Sequence, residues 1–149
     1  MLENNRTPLY QIYYSYKNKI YMVQVKDESK NLSGSIKMRP ARYMIKKAYE
    51  DKLISKYTTI CEVTSGNMGI ALATVAKEYG NKVIICMPKF MSKERIEILN
   101  SLDVELILTD SFEEAFKKSE ELEKREDVYL TKQFENINNA LSYKDFCME

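Results

Sequence analysis

Short apolar runs and longer amphipathic stretches alternate along the larger, C-terminal part of the chain. The apolar runs begin near Thr59, Lys82, Val104 and Val128, at spacings of 23, 22 and 24 residues. Each stretch between them carries apolar residues at helical spacing. Because regular alternation of strands and helices is typical of parallel sheets, the pattern predicts an α/β fold in which helices sandwich a four-stranded parallel sheet.

Local signals mark where the helices between these strands begin and end. The first helix is expected to begin near Asn67 and to stop at Gly80, which suits the left-handed residue after a helix. The second follows Pro88 with Ser92 as its cap, and the third begins with a capping box at Ser111. The positions predicted to be buried on the last two helices are Ile96, Leu99, Leu102, Phe112, Ala115, Phe116 and Leu122.

The N-terminal part of the chain has a different pattern. Residues 10–25 are rich in tyrosine, valine and isoleucine around a polar Lys-Asn-Lys turn, which predicts a β-hairpin. Apolar residues at helical spacing then predict a helix over residues 40–53. Farther along, residues 83–87 and 106–108 are uninterrupted apolar runs, so both strands are expected to be covered on both faces.

The charge balance narrows the range of partners. The chain has 22 acidic and 23 basic residues, so no excess charge points to nucleic acid or an anionic membrane. The longest run without charge or proline, residues 63–76, contains polar residues and does not suit a membrane span. The first five residues lack the apolar core of a secretory signal. The expected location is therefore the cytoplasm.

The absence of histidine restricts the chemistry further. Ser-His and Cys-His catalysis are excluded, and the commonest zinc ligand is missing. Cys61, Cys86 and Cys147 share no metal-ligand spacing, so no metal site is expected. Cys61 and Cys86 lie in apolar segments and are predicted to be buried, reduced thiols.

Two polar turns are the candidates for chemistry. Lys37 lies between a Ser-Gly-Ser turn and the helix that Pro40 opens, although a solvated surface lysine is the alternative. Residues 64–67, Thr-Ser-Gly-Asn, leave the first parallel strand where α/β sheets bind ligands. Small hydroxyls and a glycine suit a carboxylate or phosphate there, although a plain strand-to-helix turn remains open. No nucleotide-binding glycine motif is present.

Residues 31–39, 62–73 and 87–110 together resemble the cysteine synthase (O-acetylserine sulfhydrylase) and cystathionine β-synthase group of fold type II pyridoxal-phosphate enzymes. The motifs are Ser-Gly-Ser-Ile-Lys, Thr-Ser-Gly-Asn, Met-Pro followed by Met-Ser-Lys-Glu-Arg, and Gln-Phe-Glu-Asn at residues 133–136. They occur in the order and approximate spacing of the family. The resemblance implies that the cofactor is pyridoxal 5'-phosphate.

The resemblance also implies individual roles. Lys37 would bind pyridoxal phosphate covalently and move protons at the substrate Cα, and Asn67 would bind the ring hydroxyl of the cofactor. The residues that would form the substrate-binding segment are Thr64, Ser65, Gly66, Met68 and Gln133. Family members usually have threonine, proline and aspartate where this chain has Met68, Leu32 and Met38, respectively. This chain therefore looks like a divergent member with an altered substrate preference.

Family members are about twice as long as this chain, so the resemblance also implies a domain division. Residues 1–39, the hairpin and the lysine turn, would belong to the large domain, and residues 40–149 would form the small domain. The C-terminal half of the large domain, which normally supplies the cup for the cofactor phosphate, would be absent. We therefore expect unpaired hairpin edges, weak cofactor binding by the isolated chain, and a homodimer or a complementing chain.

Three functions remain open at this point. The first is β-replacement on O-acetylserine or a related β-substituted alanine, which gives cysteine. The second is β-elimination or condensation acting on cysteine, with release of sulfide, which the methionine at position 68 keeps open. The third is a truncated, non-catalytic module that binds an amino acid or a partner.

Overall fold

The computed structural model describes residues 6–144 and residue 146. It contains a hairpin followed by an α/β domain, as the sequence predicts. The six strands are β1 (Leu9–Tyr16), β2 (Lys19–Lys26), β3 (Thr59–Val63), β4 (Val83–Pro88), β5 (Glu105–Thr109) and β6 (Val128–Leu130). The five helices are α1 (Met38–Glu50), α2 (Asn67–Tyr79), α3 (Lys93–Ser101), α4 (Phe112–Glu123) and α5 (Ile137–Leu141), and a 3-10 turn spans Glu28–Lys30.

Strands β3 to β6 form one parallel sheet in the order β5-β4-β3-β6. At its centre Ile60 lies opposite Val83 on β4 and Tyr129 on β6. The larger core lies between one face of the sheet and helices α1, α2 and α3, and a smaller core lies on the other face beneath α4. The prediction of a four-stranded parallel sheet sandwiched by helices is confirmed.

The smaller core contains the two cysteines for which burial was predicted. Cys61 and Cys86 are both free and fully buried, which confirms that prediction. Cys147 lies outside the described residues. No helix in the described part of the chain has both the length and the apolar character needed to cross a membrane.

Helix α1 differs from its predicted bounds of 40–53. It begins at Met38 because the carbonyls of Ser35 and Ile36 already accept turn hydrogen bonds from residues 38 and 39. It ends at Glu50 because Lys52 adopts a left-handed conformation with φ of +58° and the Leu53 N–H bonds back to the Ala48 carbonyl, a Schellman ending. Leu53, the last residue within the predicted bounds, therefore lies outside the helix and is 60% exposed.

Two burial predictions are wrong. Within residues 6–144, strand β5 pairs with β4 alone, and Leu108 on it remains exposed, so this edge strand is not covered on both faces. On α4, Ala115 meets the sheet and is buried, whereas Phe112 and Phe116 are exposed. The Phe112 ring instead packs edge-on against Phe90, with the ring centroids 6.4 Å apart.

Neither face of the hairpin of β1 and β2 is covered by any other described part of the chain. Lys17 and Asn18, both with positive φ, form its two-residue turn, which agrees with the predicted position. Every residue of the two strands except Lys26 is exposed, and many of them are tyrosine, isoleucine or valine. A two-stranded hairpin with this much apolar surface is marginally stable alone. The predicted exposure of apolar hairpin surface is confirmed.

Candidate functional site

Lys37 lies at the junction between a tight turn and α1. Gly34, with φ of +69°, donates its N–H to the Asn31 carbonyl at 2.8 Å and closes the turn. The Lys37 N–H donates to Ser35 Oγ at 3.3 Å, and the lysine side chain is half-buried. Nearby along the chain, the buried hydroxyl oxygen of Ser33 has no hydrogen-bond partner among the described residues. The turn therefore presents an amine together with an unused polar atom.

The direction of α1 determines where Lys37 lies relative to the sheet. Near the end of α1, the Tyr49 ring stacks on Tyr79 at the end of α2, with the centroids 4.7 Å apart. The Tyr49 hydroxyl also donates to Asn81 Oδ1 at 2.7 Å, just before β4 begins. The C-terminal end of α1 thus lies at the amino edge of the sheet, and Lys37 lies towards the opposite, carboxyl edge.

A partly buried ion pair holds the beginning of α1 against the base of the hairpin. Arg39 donates to both carboxylate oxygens of Glu28, through Nε at 2.7 Å and Nη2 at 2.8 Å. Asn31 Nδ2 donates to the same carboxylate at 2.8 Å, and the Thr7 hydroxyl is a further donor. Burial raises the pKa of the Glu28 carboxyl, but these hydrogen bonds outweigh it and hold the pKa below its ordinary value.

The Thr-Ser-Gly-Asn segment leaves β3 at the carboxyl edge and opens α2. Thr64 is buried, and its N–H donates to the Cys86 carbonyl at 3.2 Å. Its hydroxyl accepts the Gly66 N–H at 3.3 Å. Ser65 and Asn67 are exposed, so their side chains face outwards beside the first turn of α2. Free N–H groups at a helix N-terminus and short polar side chains suit a carboxylate.

Gly66 has a backbone conformation that only glycine adopts readily, with φ of +147° and ψ of −74°. A side-chain carbon at this position would lie against Arg95 Cδ and 2.9 Å from Arg95 Nε. The same arginine, on α3, donates through Nη1 to the Ser65 carbonyl at 3.4 Å. The absence of a side chain on Gly66 therefore lets Arg95 cover the loop.

Gln133 lies close to the start of the same loop. Its side chain is buried, and Nε2 donates to the carbonyl of Val63 at 3.0 Å, one residue before Thr64. Its own carbonyl accepts from Asn139 Nδ2 at 2.7 Å. The structure thus brings Gln133 next to residues 64–66.

Glu62 is a carboxylic acid inside the central strand and is only 2% exposed. Its Oε1 accepts the Val63 N–H at 2.8 Å. Its Oε2 accepts the Gln133 N–H at 3.0 Å and the hydroxyl of Thr131. Burial is the largest influence on the carboxyl group and raises its pKa despite these donors.

Met68 is placed differently from the other predicted site residues. Its side chain is 2% exposed and belongs to the larger core, among residues of α1, α2 and the sheet. Its assignment to the substrate-binding segment stays a prediction. The roles assigned to Lys37, Asn67, Thr64, Ser65, Gly66 and Gln133 also stay predictions, although these residues lie at or towards one edge of the sheet.

The sequence analysis predicted no role for Glu62 or Arg95. A signal for Glu62 was present, because a carboxylate in a strand that is otherwise buried must find hydrogen-bond donors. Arg95 lies in the Met-Ser-Lys-Glu-Arg motif, but its distance in sequence from Gly66 hid their contact.

The donors at this edge suit pyridoxal phosphate. A lysine amine can bind its aldehyde carbon, and the exposed Asn67 can bind a ring substituent. The unpartnered Ser33 hydroxyl adds a further polar group beside the lysine turn. These residues do not include a binding site for the cofactor phosphate, because the four glycines of the chain form no glycine-rich cup.

These features define an α/β domain whose carboxyl edge combines a lysine with a loop suited to a carboxylate. A family model described as "Pyridoxal-phosphate dependent enzyme" matches residues 1–149. The chain belongs to this family, whose cofactor is pyridoxal phosphate.

Relatives of known name agree with the family. The chain is 39% identical over 148 residues to a cysteine synthase of Helicobacter pylori strain J99, covering 93% of this chain and 47% of the relative. It is similar in structure to a hydrogen sulfide-producing enzyme from Fusobacterium nucleatum, with a TM-score of 0.86 and 39% identity, covering 93% of this chain and 43% of the other.

A further structural relative is an O-acetylserine dependent cystathionine beta-synthase from Helicobacter pylori. The TM-score is 0.81 at 37% identity, covering 93% of this chain and 47% of the other. The chain therefore spans about half the length of the relatives it matches, and these relatives are fold type II pyridoxal-phosphate enzymes.

The ion pair at the lysine turn predicts a specific dependence of stability on pH. Because the pKa of Glu28 is lowered in the folded state, its contribution is complete above the unfolded-state pKa and is lost as the pH falls through the folded-state pKa. Glu28→Gln should have a lower free energy of unfolding than the wild type at about pH 7. At about pH 2 the two free energies should be equal. Urea unfolding over this range measures the difference.

Glu113→Gln is the matched control, because Glu113 forms an exposed ion pair with Lys117. It should change stability little at any pH. A difference between wild type and Glu28→Gln that stays constant as the pH falls would contradict the proposed linkage.

The conformation of Gly66 predicts that alanine there is more harmful than at another positive-φ glycine. Gly34→Ala faces open space, so it should cost only the left-handed backbone penalty of about 1–2 kcal/mol. Gly66→Ala should cost more, since strain of about 1–3 kcal/mol adds to the displacement of Arg95. Chemical denaturation of both variants gives the comparison.

The double variant Gly66→Ala/Arg95→Ala separates the two causes. Recovery of stability relative to Gly66→Ala alone would assign the cost to the clash with the arginine side chain. Equal stability of Gly34→Ala and Gly66→Ala would contradict a steric conflict between a side chain at position 66 and Arg95.

Proposed function

We propose that this chain provides the lysine and the substrate-carboxylate loop of a cytoplasmic pyridoxal-phosphate enzyme that makes cysteine. The reaction would be β-replacement on O-acetylserine or a related β-substituted alanine. The observation that carries the proposal is the arrangement at the carboxyl edge of the sheet. There Gln133 donates to the carbonyl of Val63, the residue before the Thr64–Gly66 loop, and Lys37 lies towards the same edge because α1 ends at the opposite one.

Each residue of this edge has a chemical task in the proposed reaction. Pyridoxal phosphate, when bound, supplies an electron sink for the bonding electrons at the substrate Cα. Lys37 would hold the cofactor and then accept and return the proton at Cα. Thr64, Ser65 and the N–H groups around Gly66 would bind the α-carboxylate, with Gln133 beside them. Asn67 would orient the cofactor ring.

The exposed hairpin supports the view that the site is completed by further protein. Both faces of β1 and β2 carry apolar side chains in contact with solvent, and both strand edges are unpaired. We propose that residues 1–39 pack with a large domain, supplied by more of the same protein, by a complementing chain or by a second copy. That domain would also supply the binding site for the cofactor phosphate.

A second candidate function is β-elimination or condensation on cysteine with release of sulfide. One structural relative is named a hydrogen sulfide-producing enzyme. In addition, a buried methionine stands at position 68, where threonine is usual in the family that the sequence resembles. Both reactions would use the same lysine and carboxylate loop, so they differ in the group that leaves or enters at Cβ.

The role of Lys37 can be tested without measuring turnover. The chain is incubated with pyridoxal phosphate, reduced with borohydride and digested, and mass spectrometry locates the labelled lysine. The label should concentrate on Lys37 and disappear in Lys37→Ala. Lys30→Ala, which removes an exposed lysine of the preceding 3-10 turn, should retain it. Similar labelling of many lysines, unaffected by Lys37→Ala, would favour a non-catalytic module.

The products distinguish the two candidate reactions. With O-acetylserine and sulfide, β-replacement predicts cysteine formation with a higher kcat/KM than sulfide release from cysteine. Amino-acid analysis measures the cysteine that is formed, and a sulfide assay measures the sulfide that is released. Faster sulfide release from cysteine in the wild type would favour the second candidate.

A further inference from the structure

We propose that Glu62 is a positioning residue whose carboxylate holds Gln133 in place for binding the substrate α-carboxylate. The inference rests on the proposed function, because it assumes that Gln133 meets a carboxylate ligand. It adds a residue that would not itself touch substrate or cofactor. Glu62 acts through Gln133, which lies 71 positions away in the chain and hydrogen-bonds to it through the backbone N–H.

The position of Gln133 depends on a side chain because the backbone ladder ends too early. Strand β6 has three residues, and its last pair with β3 joins Leu130 to Cys61. The Thr131 N–H still donates to the Cys61 carbonyl at 3.0 Å. The next inward N–H, that of Gln133, donates instead to Glu62 Oε2 at 3.0 Å. The carboxylate thus extends the connection between the two strands beyond their regular pairing.

The side chain of Gln133 follows from this anchored backbone. With its N–H held by Glu62, its Nε2 reaches the Val63 carbonyl at 3.0 Å. Glu62 Oε1 simultaneously accepts the Val63 N–H at 2.8 Å. One buried carboxylate therefore bonds both the end of β3 and the segment that carries Gln133. The Thr64 loop begins immediately after Val63, the last residue of β3.

Substitutions of Glu62 can remove one or both of its acceptor oxygens, so their effects on Gln133 should be graded. Three donors converge on two carboxylate oxygens of Glu62. Glu62→Gln keeps one oxygen and places an NH2 group against at least one donor, whereas Glu62→Met keeps similar length but no oxygen. The effect on Gln133 should therefore increase from Glu62→Gln to Glu62→Met.

A control must reproduce the loss of stability without touching this network. Val83→Ala removes buried apolar volume at the beginning of β4, at the edge of the sheet opposite the site. Its destabilisation should not alter Gln133 at temperatures well below unfolding. A purely structural role for Glu62 would make its variants behave as this control does.

The experiment is an NMR titration of the full chain, wild type and the three variants, with O-acetylserine and with its methyl ester. The ester lacks the free carboxylate. Side-chain amide signals of Gln133, assigned with Gln133→Ala, report its placement, and the shifts on titration report affinity. Glu62→Met should move the Gln133 signals and weaken binding of O-acetylserine by about tenfold. Glu62→Gln should be intermediate, and Val83→Ala should match the wild type.

The outcomes separate this inference from the proposed function. Wild-type binding of O-acetylserine in preference to the ester, with equal affinity in both Glu62 variants, would overturn the inference alone. Unchanged Gln133 signals in Glu62→Met would also overturn it. If the wild type does not prefer the free acid, the carboxylate-binding function itself fails, and the positioning role fails with it.

Discussion

Parallel pairing of β3 with β4 and β6 is the constraint on which the candidate site depends. Parallel strands end at a common edge, so the loops that follow β3 and β6 meet there although they are far apart in the chain. Strand β3 is buried throughout and lies between two neighbours. The loop that begins at Thr64 therefore follows directly on a buried residue, Val63, at the end of a central strand.

Two polar connections hold the segments of the candidate site in place, one at the end of β3 and one at the base of the hairpin. Glu62 joins the end of β3 to Gln133, and Arg39 joins the turn of Lys37 to Glu28 at the base of the hairpin. In both cases a carboxylate that is buried, as Glu62 is, or partly buried, as Glu28 is, accepts hydrogen bonds from several donors, which limits the cost of removing it from water. The two carboxyl groups respond in opposite directions. At Glu28 burial is the largest single influence, but the hydrogen bonds together outweigh it and lower the pKa, whereas at Glu62 burial prevails and raises the pKa.

The distribution of apolar surface separates the chain into two parts. The α/β domain has an apolar core on each face of its sheet, whereas the hairpin leaves its apolar side chains exposed. The chain also spans about half the length of the relatives that it matches. Residues 64–66 are thus supported by the sheet from which they leave, whereas the hairpin packs on none of the described helices or strands of that domain.

The fold could be predicted because its signals are local. Strand spacing, the glycine at position 80 and the cap at Ser111 each report backbone preferences over a few residues, and the structure agrees with them: Gly80 has φ of +78°, and Ser111 Oγ accepts the Glu114 N–H at 3.1 Å. The errors occurred where burial depends on neighbours. Leu108 and Phe116 carry the right pattern for a core, yet the edge of the sheet and the flank of α4 leave them exposed.

The sequence by itself determined the element order, the lysine turn and the Thr-Ser-Gly-Asn loop, because short motifs encode turns and helix ends directly. Only the tertiary structure decided that Glu62 holds Gln133, that Arg95 covers Gly66 and that Met68 lies in the core. These contacts join residues on different elements or depend on how whole elements pack. No local pattern encodes them, because they follow from the register of the sheet and the placement of helices upon it.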